Sequence, residues 1–249
     1  MISVVMTYFN RRYQLLRTLE SIKYFGNPEI IVVDDASDER IDDIEGIKLI
    51  RIEPENKWWI NSCMAFNIGL SHATGDIIIM QNAECVHTGD ILSHCQNVRG
   101  IFSYGCYSLD RTLPEMPVTE LRRMILREPQ IEQDNHVGWY NHSAYCPQGL
   151  NFCSAISKSD MELLGGFDER YAHGICYDDN DFILRADRAK IKVTIIDDPF
   201  VIHQKHERTD RSKLHEEYKI NGRVWDKVIR EKTIKPPQNK YYGMEIKSI

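Results

Sequence analysis

Four clusters of polar and ionisable residues stand out, each beside a run of residues that reads as a strand or helix. Thr7-Tyr8-Phe9-Asn10-Arg11-Arg12 follows the apolar run at 2–6, Asp34-Asp35-Ala36-Ser37 follows the run at 30–33, and Asn82-Ala83-Glu84 follows the run at 77–80. The fourth is Asp178-Asp179 at the start of a helical pattern, joined by His203 after a late apolar run. Carboxylates, hydroxyls, amides and an imidazole then sit just outside the carboxyl ends of strands, where open parallel sheets bind ligands. Each cluster alone has a plainer explanation. Asp and Ser are ordinary helix caps, Thr7–Arg12 reads as a strand-to-helix turn, and Glu84 as a solvated loop charge. Four such clusters at one sheet edge argue for function.

The elements that must position them alternate regularly in the first hundred residues. Short apolar strands at 2–6, 30–33, 47–52 and 77–80 are separated by helical patterns at 11–24 and 61–73. Continuous apolar strands alternating with amphipathic helices imply a mostly parallel sheet covered on both faces. The second half is less regular. Residues 109–150 read as a long loop region with one helix near 118–127, followed by a strand near 150–157 and a helix from Asp178 to about Lys190. Short strands at 192–196 and 200–203 and a charged helix from about Asp210 to Glu231 complete the pattern, ahead of an aperiodic tail.

Composition narrows the function. At 249 residues, 42% of them hydrophobic, the chain can bury a large core. A net charge of −6 is a poor match to duplex nucleic acid, which demands a basic face. No stretch approaches the ~20 apolar residues of a membrane span, and the N-terminus lacks the basic lead of a signal peptide. Seven cysteines with no pairing pattern suggest reduced thiols and a cytoplasmic protein. GxGxxG after the first strand, the P-loop, HExxH and CxxC are all absent. Cys85, His87, His94 and Cys95 lie close in sequence but read as core thiols and surface histidines.

The order VVMTYFNRR, IIVVDDAS, AFNIGLSHATGDIIIMQNAEC, GGFDERY, YDDNDFILR and VIH resembles a family 2 glycosyltransferase of the GT-A fold over about residues 1–205. The resemblance implies an α/β fold with a Rossmann-like sheet, helices on both faces and a small acceptor-side subregion. Residues 1–100 would form the nucleotide-sugar-binding half, 101–205 the acceptor and catalytic half, and 206–249 a C-terminal helix and tail packed on the same domain. It further implies inverting transfer from a nucleotide-sugar, with UDP favoured, to a glycan or other hydroxyl acceptor, assisted by Mn²⁺ or Mg²⁺.

Carried over by position, Thr7 and Tyr8 would line the base and ribose pocket, and Asp35, with Asp34, would accept a hydrogen bond there. Asn10, Asn67 and Asn82 would also face the donor. Phe66 stands where the family often has an arginine, so Arg11, Lys57 or Lys205 would neutralise the diphosphate. Asn82-Ala83-Glu84 replaces the expected Asp-x-Asp, leaving Glu84 and His203 as metal ligands and His206 as a fallback. Hard divalent cations take few protein carboxylates plus substrate phosphates, and imidazole tolerates Mn²⁺. Asp179 would be the base, with Asp178 beside it and Asp181 as a helix cap.

The acceptor would meet the aromatic loop 136–142 through Trp139, Tyr140 and His142, with a loop anchored by a buried Trp as an equal reading. Trp58-Trp59 reads as buried. Leu214, Tyr218, Trp225 and Ile229 read as a packing or homodimer face of the last helix. Two other functions compete. A nucleotidyltransferase would need a glycine-rich loop after the first strand, and none is present. A catalytically inactive nucleotide-sugar-binding scaffold would explain the altered Asn82-Ala83-Glu84, but it leaves Asp179 and His203 without a purpose.

Overall fold

The computed structural model describes residues 1–128, 130, 138–207, 212, 214–237 and 239–242. His136, Val137, the helix start expected at Asp210 and the end of the tail lie outside these residues.

In chain order the strands are β1 Ile2–Tyr8, β2 Glu29–Asp34, β3 Lys48–Arg51, β4 Ile77–Asn82, β5 Cys85–His87, β6 Ile101–Ser108, β7 Gly138–Asn141, β8 Cys153–Ser157 and β9 Val193–His203. The α-helices are α1 Arg12–Phe25, α2 Cys63–Ser71, α3 Ile91–His94, α4 Val118–Ile125, α5 Lys158–Leu164, α6 Asp178–Arg188 and α7 Leu214–Glu231. The strands form one sheet in the order β3-β2-β1-β4-β8-β6-β9-β5, with β7 paired to β6. The first four are mutually parallel. Beyond β4 the sheet is mixed: β8 is antiparallel to both β4 and β6, whereas β6 and β9 run parallel.

The unbroken apolar runs of β1 and β2 follow from burial on both faces. Val4 and Met6 face a cluster that includes Leu15, Leu19 and Ile22 of α1. Val5 faces the opposite cluster, with Met64, Phe66 and Ile68 of α2. α2 lies so close to the sheet that a Cβ on Gly69 would come within 2.5 Å of Val5 Cγ1, so only glycine fits there.

Four strands depart from expectation. β5, β6 and β7 were not evident in the sequence, because β5 is three residues long and Ser103, Gly105 and Ser108 interrupt the apolar run of β6. The two short strands expected at 192–196 and 200–203 are one strand, β9, whose register against β6 jumps from Ile196 to Phe200 around a bulge. Much of the expected loop 109–150 packs as a third cluster, in which α4 and Trp139 cover Tyr107, Phe200 and Ile202.

Asp181 is not a cap. Its Oδ2 accepts from Arg185 Nε at 2.7 Å, and Arg185, 1% exposed, also donates to the carbonyls of Leu164 at 2.7 Å and Gly166 at 2.9 Å. This buried pair ties α6 to the turn after α5. Arg185→Met should destabilise the protein by about 3–5 kcal/mol in denaturant titrations, because Asp181 and two carbonyls lose their donor in the core.

Candidate active site

The carboxyl ends of β1, β2 and β4 open onto a cleft of about 740 Å³, within the ~300–1,000 Å³ usual for small-molecule sites. It is lined by Thr7, Tyr8 and Arg11 after β1, Asp35 after β2, Asn82 and Glu84 after β4, Tyr140 of β7, Asp178 of α6, and His203 and His206 at the end of β9. Segments far apart in sequence thus converge as the parallel topology requires. Asn10, Asp34, Asn67, Asp179, Lys205, Trp139 and His142 do not line it.

The structure gives most of these seven another task. Asn10 bridges loops, donating to Asp38 Oδ2 at 2.8 Å and accepting from Asp38 N at 2.9 Å. Asp34 is fully buried and accepts from Arg51 Nη1 at 2.5 Å and Ser37 N at 2.9 Å, closing the turn after β2. Asn67 is buried, donating to Phe167 O at 2.9 Å and accepting from Phe167 N at 2.8 Å, which pins the Gly165-Gly166-Phe167 turn onto α2. Lys205 is exposed, with its carbonyl bound by Gln14. Trp139 is 8% exposed and donates to Gln130 Oε1 at 3.1 Å, while His142 packs on it beside Asp197. Tyr8 is 1% exposed, so its ring belongs to the core and its carbonyl, bound by Asp35 N at 2.8 Å, supports the wall. Trp59 is buried as expected, but Trp58 is exposed.

Glu84 is the electrostatic centre of one wall. Its Oε1 lies 2.7 Å from Arg11 Nη1 and 3.5 Å from Nε2 of both His203 and His206. Burial opposes ionisation, yet a hydrogen bond from His203 and the guanidinium charge of Arg11 hold the carboxyl down at about 2. One ligand atom each from Glu84, His203 and His206 falls within a 4.8 Å span. His206 Nδ1 is 2.8 Å from the carbonyl of Glu207. A carbonyl only accepts, so the ring proton is assigned to Nδ1 and the Nε2 lone pair faces Glu84. Burial lowers the His206 pKa and so favours that neutral ring. Two acceptors facing each other call for a cation between them, so the donor set fits a divalent ion.

Asp178, which also lines the cleft, opens α6 together with Asp179. Asp178 Oδ1 accepts from Asn61 Nδ2 at 3.1 Å, and Asp179 Oδ1 from Asn151 Nδ2 at 3.0 Å. Burial raises both carboxyls; for Asp179 the charge of Asp178 adds to this and pushes it to about 7. Cys176 and Tyr177 precede the pair with φ of +63° and +68°, a strained conformation for side-chain-bearing residues. α7 holds it. Asn221 Nδ2 donates to the carbonyls of Tyr171 and Cys176, both at 3.0 Å, Tyr177 bonds Tyr218, and Trp225 stacks on Tyr177. The helix face read as a packing or dimer face packs here, in part, as a clamp on the acidic segment. Asn61, Asn151 and Asn221 carried no local sequence signal, whereas the His-x-x-His spacing of 203 and 206 did.

Comparisons with known proteins agree with this geometry. No curated protein matches the chain. Among solved structures it is similar to the mannosyltransferase PcManGT of Pyrobaculum calidifontis, solved with GDP-Man and Mn²⁺, with TM-score 0.56 and 16% identity over 92% of this chain and 64% of that one. It is also similar to residues 1–349 of S. aureus TarS solved with UDP-GlcNAc, with TM-score 0.61 and 14% identity over 92% of this chain and 66% of that one. The chain therefore spans just under two thirds of either structure's length, and the likeness at this identity is one of fold. The model of glycosyl transferase family 2 matches residues 3–154, more than half the chain. With that match and the GT-A architecture of its sheet, the chain belongs to glycosyl transferase family 2.

Proposed function

We propose that the protein transfers a sugar, with inversion, from a nucleotide-sugar, UDP-linked by preference, to a hydroxyl acceptor. The observation that carries this reading is the convergence of Asp35, Glu84 and Asp178 on one cleft at the carboxyl ends of parallel strands. Thr7 and Asp35 bind the nucleoside, Arg11 faces the diphosphate, and Tyr140 borders the acceptor. Glu84, His203 and His206 would hold Mn²⁺ or Mg²⁺, which when bound stabilises charge on the departing diphosphate. The neighbour solved with Mn²⁺ supports that assignment. All seven cysteines are free thiols, which supports a cytoplasmic setting. Among the described residues no helix is long and apolar enough to cross a membrane.

Inversion requires the acceptor hydroxyl to lose a proton as it attacks the anomeric carbon from the face opposite the leaving group. Asp179, with its raised pKa, has the proton affinity for that task near neutral pH. Its side chain is oriented by Asn151, and Asp178 beside it forms the cleft wall. Incubation with UDP-, GDP- and TDP-sugars, with and without Mn²⁺, should release nucleoside diphosphate and yield product of inverted anomeric configuration by NMR. Failure to bind any nucleotide-sugar would overturn the reading. Tight binding with no transfer to any acceptor would favour a scaffold.

The pH profile gives a sharper check. Only the ionised base works, so kcat/KM should rise with pH through an apparent pKa of about 7. Asp178→Asn removes the neighbouring negative charge, so this limb should move to lower pH. An unmoved limb would show that the two carboxylates do not interact.

A further inference from the structure

The backbone that presents Asp178 and Asp179 does not hold its shape unaided. Cys176 and Tyr177 sit at φ of +63° and +68°, and α6 starts directly from Tyr177. A Cβ disfavours that region, and neither residue is the glycine that would occupy it freely. These successive left-handed residues set the direction of the first turn of α6, and so where its carboxylates lie. The restraint comes from α7. Asn221 is fully buried, and its Nδ2 donates both hydrogens to main-chain carbonyls, those of Tyr171 and Cys176, each at 3.0 Å. Both facing groups are acceptors, which assigns the amide nitrogen to that side. One bond lies at each end of the segment 171–176, so a single side chain fixes its span. Gly174 permits the close approach: a Cβ there would come within 2.3 Å of the Glu217 carbonyl and 2.5 Å of Asn221 Oδ1. Beside this contact, Ile175 N donates to the Glu217 carbonyl at 3.3 Å and the Tyr177 hydroxyl to Tyr218 at 2.6 Å. All these α7 residues lie outside the stretch 3–154 that the family model matches.

We propose that Asn221 is a positioning residue for sugar transfer: by bridging Tyr171 and Cys176 it keeps the left-handed turn that sets Asp178 at the cleft and Asp179 against Asn151. The inference rests on the reading of the acidic pair as the catalytic carboxylates. It adds a residue on which their placement depends, one that does not itself line the cleft. Without the amide, two carbonyls lose their donor in a buried place, and the turn gains by relaxing to unstrained backbone. The first turn of α6 then swings, and Asp179 leaves its bond with Asn151 for a wetter setting. Burial and the charge of Asp178 are what raise the Asp179 carboxyl, against the bond from Asn151. Relaxation of the turn therefore lowers its proton affinity.

The test uses Asn221→Leu, which keeps the volume and removes both donors, and Tyr218→Phe, which takes only one hydroxyl from Tyr177. The Asp179 carboxyl is titrated by ¹³C NMR of aspartate-labelled protein, its resonance assigned by its absence from Asp179→Asn. In parallel, UDP release from UDP-GlcNAc with Mn²⁺ is followed, water serving as acceptor, and UDP binding is measured by calorimetry. Asn221→Leu should lower the titration midpoint by about one pH unit or more, toward the ordinary carboxylate range. It should lower turnover by ~10–100-fold through a misplaced base, with UDP affinity within about threefold of wild type. Tyr218→Phe should move midpoint and turnover the same way by smaller amounts, and it carries the comparison if Asn221→Leu does not fold. Adding Cys176→Gly to Asn221→Leu should restore part of both losses, because glycine holds a positive φ without a clamp. An unchanged midpoint and unchanged turnover of the folded protein, whatever the loss of stability, would overturn the inference and leave Asn221 a packing residue. Equal losses of UDP affinity and turnover would overturn it too, since the whole cleft would then have collapsed. If the wild-type protein releases no UDP, the transferase reading fails for this donor, whereas the titration still decides the role of Asn221.

Discussion

Asp179→Asn should lower kcat by ~10²–10⁴-fold, the usual worth of a general base, and should make the protein more stable at pH 8. Both effects follow from one environment. Burial and the charge of Asp178 raise the Asp179 carboxyl to about 7, whereas an unfolded chain titrates near ~3.9. Ionised Asp179 therefore costs the folded state free energy. That cost is absent below the unfolded pKa, grows as pH rises from about 4, and levels off above about 7, where both states are ionised. The amide of the variant is never ionised and can still accept the bond from Asn151 Nδ2. Its advantage should be absent near pH 3 and full at pH 8, on the order of 2 kcal/mol at the ~1.4 kcal/mol carried by each pKa unit, after discounting for partial exposure. In a chain of this size that is a rise in Tm of about 4–8 °C. Donor affinity should stay within a few-fold of wild type, because Asp179 does not line the cleft proposed to take the donor. Wild-type turnover in Asp179→Asn would remove the assignment. Lost turnover with lowered stability at pH 8 would mean that the carboxylate is structural.

These outcomes bear on what a sequence can disclose. The strand ends were legible because β1, β2 and β4 are short apolar runs buried on both faces, so the polar residues after them had to lie at one edge. Asp35 and Glu84 were found that way, and His203 by the late apolar run that ends β9. Asp34 and Asp35 look alike in sequence, yet a one-residue step in an extended chain reverses the side chain. Asp34 turns inward to Arg51 and Asp35 turns to Lys57. Asn67 matched a donor-binding position, but its amide is consumed by Phe167, 100 residues away. Trp139 looked like a stacking platform in a loop. Pairing of β7 with β6 instead makes it a core residue, and only its neighbour Tyr140 reaches the cleft. Asn61, Asn151 and Asn221 escaped notice for the same reason, since each has partners that only the tertiary fold brings near.

Glu84→Gln should abolish Mn²⁺ binding and reduce turnover by ~10²–10³-fold, the scale of several kcal/mol of charge stabilisation lost at the leaving group. The amide keeps the shape and a hydrogen-bonding oxygen for Arg11, so the fold should survive. Arg11 provides the more discriminating variant. Its guanidinium lies 2.7 Å from the same Oε1 that the two imidazoles face. An incoming dication must compete with that charge for the carboxylate. In the donor-free protein, Arg11→Met should therefore bind Mn²⁺ more tightly, by about tenfold or more for removal of one close like charge in a partly buried site. The same variant should bind the nucleoside diphosphate more weakly, because a cation facing the phosphates is gone. Opposite signs for metal and nucleotide would mark Arg11 as a guanidinium shared between Glu84 and the diphosphate. Calorimetric titration of chelator-stripped protein with Mn²⁺, then with UDP at fixed Mn²⁺, measures both. If Glu84→Gln binds Mn²⁺ like the wild type, or if a strong chelator leaves wild-type turnover unchanged, Glu84 is no metal ligand. Arg11 would then be the resident cation of the diphosphate site, and Arg11→Met should cost turnover as much as Glu84→Gln was expected to.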